Sequence, residues 1–325
     1  MIYIYRMYQY QNKILNPFYI SGLCDAESCF FLSLDNKFHP RFSFSIGLNI
    51  KDKELIHQIN CFFQNKGRIS IYTPNNEIRI TFDNLDGINN YIIPHFDSYP
   101  LFGTKLIDYK LFKMGIKMIN NGDYKNSDGL KKFGEIALSM NEGYKKNIIK
   151  LFPDLINITT NLSNYQNSLR NSLSSSNDPK TFSGWWVTGF IDGDGCLSAS
   201  IKYKNLGMVP PEKMKIAFQP SLSISQHKNN IILFNEIKQF FNCGNVYNKK
   251  ASNGEYKHIQ YQVSSNKDIK SYIIPHLEIY TLMSYKKHVY KIWAELIRLL
   301  SNEFSENRNK KAIELINEIK KLNNV

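Results

Sequence analysis

The sequence is poor in cysteine, and the five it has, Cys24, Cys29, Cys61, Cys196 and Cys243, form no C-x-x-C pair and no Cys/His spacing of the zinc kind. A disulfide scaffold and a zinc ribbon are excluded, and the thiols read as small core residues in a reducing compartment. No apolar run approaches ~18 residues, so no membrane span is expected. Acidic residues number 28 against 41 basic ones, a net charge of +13. That imbalance points to a polyanionic partner, nucleic acid ahead of a membrane surface. Arginine is scarce beside lysine, while Ile, Asn, Tyr and Phe are abundant, a mix that suggests an AT-rich coding sequence such as that of an organelle. The opening M-I-Y-I-Y-R-M-Y-Q-Y matches neither a signal peptide nor an Arg/Ser-rich transit peptide. A protein working in an organelle would then be made there.

What is present is a nine-residue stretch carried twice, I-S-G-L-C-D-A-E-S at 20–28 and V-T-G-F-I-D-G-D-G at 187–195. The second acids, Glu27 and Asp194, lie 194 − 27 = 167 residues apart, which divides the chain into two halves. Each copy reads as a helix end followed at once by a strand, 29–34 and 196–201. Helix positions four apart share a face, so Gly22 stacks with Ala26 and Gly189 with Gly193. Small residues at this spacing let helix backbones approach closely, and packing of the two copies would bring Glu27 and Asp194 together. Two carboxylates at the negative ends of helix dipoles are costly neighbours unless a divalent cation lies between them. Asp25 and Asp192 are expected to act structurally, around the helix end.

Each motif is followed by strands with one apolar and one polar face. In the first half Phe42, Phe44, Ile46, Leu48 and Ile50 alternate with Arg41, Ser43, Ser45, Gly47 and Asn49. Arg68, Ser70 and Tyr72 oppose Ile69 and Ile71, and Arg79 and Thr81 oppose Ile78, Ile80 and Phe82. In the second half Ser198, Ser200, Lys202 and Lys204 share a face, as do Lys213, Lys215, Gln219, Ser221 and Ser223, and His258, Gln260 and Gln262. Pro220 implies a bulge or an edge. Helices are expected at 53–64 and 229–242, closed by Gly67 and Gly244, then at 104–120, 281–300 and 306–322, with two short ones within 129–150. Y-I-I-P-H recurs at 91–95 and 272–276, where His95 and His276 read as structural. The Asn/Ser-rich stretch 157–182 reads as a linker between halves 1–156 and 183–325.

With two motifs and a strand-rich segment after each, the chain resembles the LAGLIDADG homing endonuclease family in its single-chain form. The resemblance implies an α+β fold of two pseudo-symmetric α-β-β-α-β-β-α halves, with antiparallel saddle-shaped sheets and a central two-helix interface. It implies a monomer acting on double-stranded DNA by metal-dependent phosphodiester hydrolysis in intron homing, in a mitochondrion. Glu27 and Asp194 would hold Mg²⁺, which suits carboxylate, carbonyl and water ligands; Mn²⁺ or Ca²⁺ could substitute for binding. The carbonyls of Ala26 and Gly193 would complete the sphere. Gln219, with Ser45 as its counterpart, and Lys105 and Lys286 would line the cleavage centre. The polar sheet residues above, with Ser33 and Lys37, would face the duplex, since a β-ribbon fits the major groove. The rival reading is an RNA-binding intron maturase on the same fold, and a third is a DNA-binding protein without cleavage.

Overall fold

The computed structural model describes residues 15–140, 145–157, 182–204, 215–250, 254–303 and 305–324, in two compact units that divide between Thr181 and Phe182. Residues 158–181 of the expected linker 157–182, the loop around 205–213 and Lys213 lie outside the described residues.

The first unit opens on helix α1 (Pro17–Glu27), where Asn16 accepts from the Phe18 N–H and Pro17 takes the first turn, as the sequence pattern requires. Strand β1 (Ser28–Leu34) follows without a linker, then β2 (Pro40–Asn49), helix α2 (Lys53–Phe62), β3 (Arg68–Tyr72) and β4 (Glu77–Phe82). The strands form one antiparallel sheet in the order β1-β2-β4-β3. Helices α3 (Ile93–Ser98), α4 (Lys105–Asn121), α5 (Ser127–Ser139) and α6 (Lys145–Leu151) complete the unit. The second unit repeats the order: α7 (Gly184–Asp194), β5 (Gly195–Lys204), β6 (Lys215–His227), α8 (Ile231–Phe241), β7 (Asn245–Lys250) and β8 (Tyr256–Val263). Its sheet runs β5-β6-β8-β7, and α9 (Ile274–Ile279), α10 (Lys286–Leu300) and α11 (Glu306–Asn324) follow.

Burial follows the period-two pattern. On the apolar face of the first sheet Phe30 meets Phe44, Phe96 and Phe112 at ring separations of 4.8, 5.6 and 5.3 Å. In the second, Trp186 stacks on Phe190 at 5.1 Å, and the Trp293 indole N–H donates to the Ser198 carbonyl. Burying each of these rings removes on the order of 150–250 Å² from water, which makes them the main anchors of the two cores.

Several boundaries differ from the sequence pattern for local reasons. Ile50 opens a short helical turn instead of extending β2. Helix α2 is closed by Gln64 and Asn65 in the left-handed region (φ 52° and 58°), not by Gly67. Gly67 is needed for room: a Cβ there would come within 2.5 Å of Ile80. After α8 both Asn242 and Gly244 take positive φ. Helix α10 begins only at Lys286, because the N–H groups of Met283 and Ser284 are bound by Asp192. Pro220 causes no bulge. It pairs with Ala199 ahead of the first β6–β8 pair, Leu222 with Val263, so β6 has an edge there.

His95 and His276 are buried at equivalent places. Each ring Nε2 bonds the small polar residue of its motif, Ser21 at 3.1 Å and Thr188 at 3.0 Å. Burial holds His95 down to about 3 and His276 to about 4. The unfolded rings titrate near 6.5, so the stability they carry is full above that pH and drains away as pH falls towards the folded values. At pH 5 each histidine should cost about 2 kcal/mol relative to pH 7. Thermal melts at the two pH values should show His95→Asn less acid-sensitive than the parent; equal sensitivity would contradict the assignment.

Candidate functional site

In both units the motif acid stands on the last residue of a helix that runs straight into a strand. Glu27 ends α1 and Asp194 ends α7, and both are partly exposed. The junctions share one backbone form, with Ser28 at φ −90°, ψ 161° and Gly195 at φ −77°, ψ 146°. Ser28 therefore preserves the turn that Gly195 makes, and its hydroxyl donates to the Cys24 carbonyl at 2.7 Å. Next to each motif acid, the other acid is a fastener. Asp25 accepts from the Phe102 and Gly103 N–H groups at 2.8 and 3.1 Å. Asp192 accepts from Met283 N, Ser284 N and Ser284 Oγ at 2.6, 3.2 and 2.5 Å. These bonds tie the motif helix to the loop that carries the following lysine.

That lysine reaches the helix end. Lys286 Nζ donates to the carbonyls of Ile191, Asp192 and Gly193 at 3.0, 2.8 and 3.0 Å. An ammonium on the last carbonyls of α7 offsets the negative pole of the helix beside Asp194. Lys105 begins the corresponding helix of the first unit and acts electrostatically on Cys24, which precedes Glu27 as Ile191 precedes Asp194.

The strand register changes which polar residue belongs to each acid. Ser28 pairs with Ile46, and Gly195 with Ile224, so β2 and β6 correspond at an offset of 224 − 46 = 178. The counterpart of Ser45 is thus Ser223, not Gln219, and Gln219 corresponds to Arg41. Gln219 lies opposite Ser200, roughly 16 Å along β5 from Gly195 at 3.3 Å per residue. It is removed from the acid of its own half. The residue that meets Asp194 is Gln226: its Nε2 donates to Asp194 Oδ2 at 2.5 Å, and its Oε1 accepts from Asn230 Nδ2. Nothing in residue type separates Gln226 from Gln219; only the strand ladder, counted from the helix–strand junction, singles it out. Leu48 stands at the equivalent ladder position of the first half, so the halves differ there (48 + 178 = 226).

The open sheet faces carry most of the residues expected to meet nucleic acid. Arg41, Arg68, Tyr72, Ser200, Lys202 and His258 are exposed, as is Lys37 in the β1–β2 turn. Ser43, Ser70, Arg79, Thr81, Ser198, Ser223, Gln260 and Gln262 are partly exposed on the same faces. Three expected contacts are covered: Ser33, Ser45 and Ser221 are 4 %, 9 % and 8 % exposed. Short hydroxymethyl groups sink between larger cross-strand neighbours, and Ser221 spends its hydroxyl on Ser198 at 3.0 Å. Lys204 and Lys215 pair with each other at the far end of β5 and β6. Cys29 and Cys196 are exposed rather than core residues, since alternation turns the second residue of each strand to the open face.

Among the described residues no group of three or more His, Cys, Asp and Glu side chains is gathered for a metal. The donors at the junctions are hard oxygens, a carboxylate with helix-end carbonyls, the set that suits Mg²⁺ or Ca²⁺ over softer metals.

The family model for LAGLIDADG endonuclease matches residues 20–116 and again 187–297, one copy in each unit. The chain belongs to the LAGLIDADG endonuclease family. Among its relatives, the probable intron-encoded endonuclease 2 of Neurospora crassa is 29 % identical over 94 % of this chain and 65 % of its own length. The probable intron-encoded DNA endonuclease 1 of Mycosarcoma maydis is 25 % identical over 79 % of this chain and 90 % of its own. The chain thus spans about two-thirds of the Neurospora relative. The LAGLIDADG homing endonuclease I-LtrWI, crystallised on its target DNA, superposes with a TM-score of 0.78 and 28 % identity over 93 % of this chain and 96 % of that one. I-GzeII in complex with its DNA target gives 0.75 and 26 %, over 93 % and 97 %.

Proposed function

We propose that the chain is a site-specific DNA endonuclease that makes a double-strand break by metal-dependent phosphodiester hydrolysis in intron homing. The observation that supports this most is the duplicated junction: each half ends its motif helix on an acid, and in the second half Lys286 bonds that helix end. Glu27 and Asp194 are the carboxylates that would hold metal, Mg²⁺ by donor type, with the carbonyls of Ala26 and Gly193 as further oxygens, the Gly193 carbonyl sharing its lone pairs with Lys286. A bound metal would supply charge stabilisation on the phosphate and lower the pKa of a bound water. Gln226 orients the Asp194 carboxylate through its Nε2 donor to Oδ2. Lys286 holds the carbonyls of the last turn in place and adds a positive charge where phosphate charge would build up. Lys105 is given the same place in the first half.

The polar sheet faces would lie along the duplex, with exposed lysines on phosphates and the partly exposed Ser, Thr, Arg and Gln side chains at base edges. A single chain supplies both halves, so a monomer suffices. Mitochondrial origin is part of this proposal, supported by the AT-rich composition and the intron-encoded relatives.

Selection of cleaved molecules from a randomised duplex library in Mg²⁺ tests the reading. Recovery of one long consensus supports it. Recovery of none, together with stimulated splicing of an intron RNA, would favour the maturase reading. In the same assay Gln226→Leu, which copies the first half, should slow cleavage of one strand about ten- to a hundred-fold and leave nicked product. An unchanged rate would remove Gln226 from the site.

A further inference from the structure

The two sheets offer different chemistry at matching positions, and this rests on the DNA-binding reading above. All three sheet arginines, Arg41, Arg68 and Arg79, lie in the first unit; residues 195–263 contain none. Each is held by a carboxylate. Arg41 Nη2 donates to Asp35 at 2.9 Å, and Arg68 Nη2 to Asp83 at 2.8 Å with Nη1 on Ser70 at 3.1 Å. Arg79 gives Nε and Nη2 to Glu77 Oε1 at 2.8 and 2.7 Å.

The Arg79 arrangement has a place built for it. Gly47 faces Arg79 across β2 and β4, in mid-strand, where glycine weakens a sheet. A Cβ on Gly47 would come within 2.6 Å of Glu77 Oε1, so the glycine leaves room for the ion pair. Tyr72 lies beneath the guanidinium, 5.4 Å from ring centre to Cζ. The side chain is nevertheless 42 % exposed. With Nε and one side of Nη2 occupied, the outer Nη1/Nη2 edge of the fork is the part left to a ligand. At the corresponding ladder positions of the second unit stand Ser225, His258 and Gln260, for Gly47, Glu77 and Arg79 (225 − 47 = 178; 260 − 79 = 181).

We propose that Arg79, oriented by Glu77 in the space left by Gly47, reads a guanine in the half-site bound by the first unit, while Gln260 reads an adenine at the pseudo-symmetric position of the other half-site. A solvated surface arginine binds phosphate as well as bases. One whose charge is cancelled by a fixed carboxylate loses much of its attraction for phosphate and keeps a directed pair of donors. That favours the O6/N7 edge of guanine, as the amide of Gln260 favours the N6/N7 edge of adenine. Arg68 with Asp83, and Arg41 with Asp35, are built on the same plan. Glu77 is a positioning residue: it acts through Arg79.

The test is selection of bound duplexes from a randomised library by the full chain in Ca²⁺, where cleavage plays no part, followed by titrations at several salt concentrations. The parent should select guanine at one position that Arg79→Lys randomises, with about a ten- to hundred-fold loss of discrimination there and an unchanged salt slope. Gln260→Ala should relax an adenine at the symmetry-related position. Glu77→Gln should blur the same guanine and steepen the salt slope by about one, because it releases a cation to the phosphates. A merely structural ion pair would move neither readout. If Arg79→Lys or Arg79→Ala weakens all sequences equally, Arg79 is a phosphate contact and the inference is overturned. If the parent binds no DNA at all, the DNA-binding reading itself fails, a result distinct from uniform weakening.

Discussion

Glu27→Gln or Asp194→Asn alone is expected to remove double-strand cleavage, with a loss of at least about a thousand-fold in the rate of linear product. Each substitution keeps the size of the side chain and its capacity to accept a hydrogen bond but deletes the negative charge that would hold a divalent cation at the helix end. The effect should be confined to chemistry. Affinity for the target in Ca²⁺ should stay within a few-fold, because on this proposal phosphate and base contacts would come from the sheets. A supercoiled plasmid carrying the selected site distinguishes the outcomes, since linear, nicked and intact forms separate on a gel. Full-rate linearisation by either variant would take that acid out of the reaction.

Asp192→Ala should produce the largest loss of stability, about 4 kcal/mol, which lowers the melting temperature by about 10 °C for a unit of this size. Asp192 is 5 % exposed and accepts from Met283 N, Ser284 N and Ser284 Oγ. Alanine would leave these donors without their acceptor and loosen the loop that delivers Lys286 to the Ile191, Asp192 and Gly193 carbonyls. Asp192→Asn keeps one acceptor oxygen and should lose about half as much. A thermal melt of the three proteins in metal-free buffer checks the order; an alanine variant as stable as the parent would mean that the bonds to this loop carry no net energy.

The sequence disclosed the halves, the junction residues and the sheet faces because each is written in a short period. Alternation of Phe44, Ile46 and Leu48 with Ser43, Ser45 and Gly47 leaves one face for the core, and a slip of one residue would bury the wrong set. Asn16-Pro17 marks the start of α1 by cap chemistry alone. The register between strands was not legible in this way. Its offset grows from 167 at the motif to 178 on the second strand and 181 beyond, and no local period records the turn length that sets it. Residue type therefore points to Gln219 for the counterpart of Ser45, where the ladder has Ser223, and leaves Gln226 unmarked. Covered serines such as Ser33 were equally hidden, since alternation gives the face of a residue but not the height of its neighbours. The bonds of Ser21 to His95 and of Thr188 to His276 span 74 and 88 residues. Only the recurrence of both members in each half could have suggested them.

The central claim is that this duplicated scaffold would cut both strands of DNA with metal held at the acids that end its motif helices, Glu27 and Asp194. The most direct measurement incubates the purified chain with its selected target and follows product in Mg²⁺, in Ca²⁺ and in EDTA. The account predicts linear DNA in Mg²⁺, a stable uncut complex in Ca²⁺, and no cleavage in EDTA. Cleavage that persists in EDTA, or a tightly bound target that Mg²⁺ leaves uncut, would contradict it.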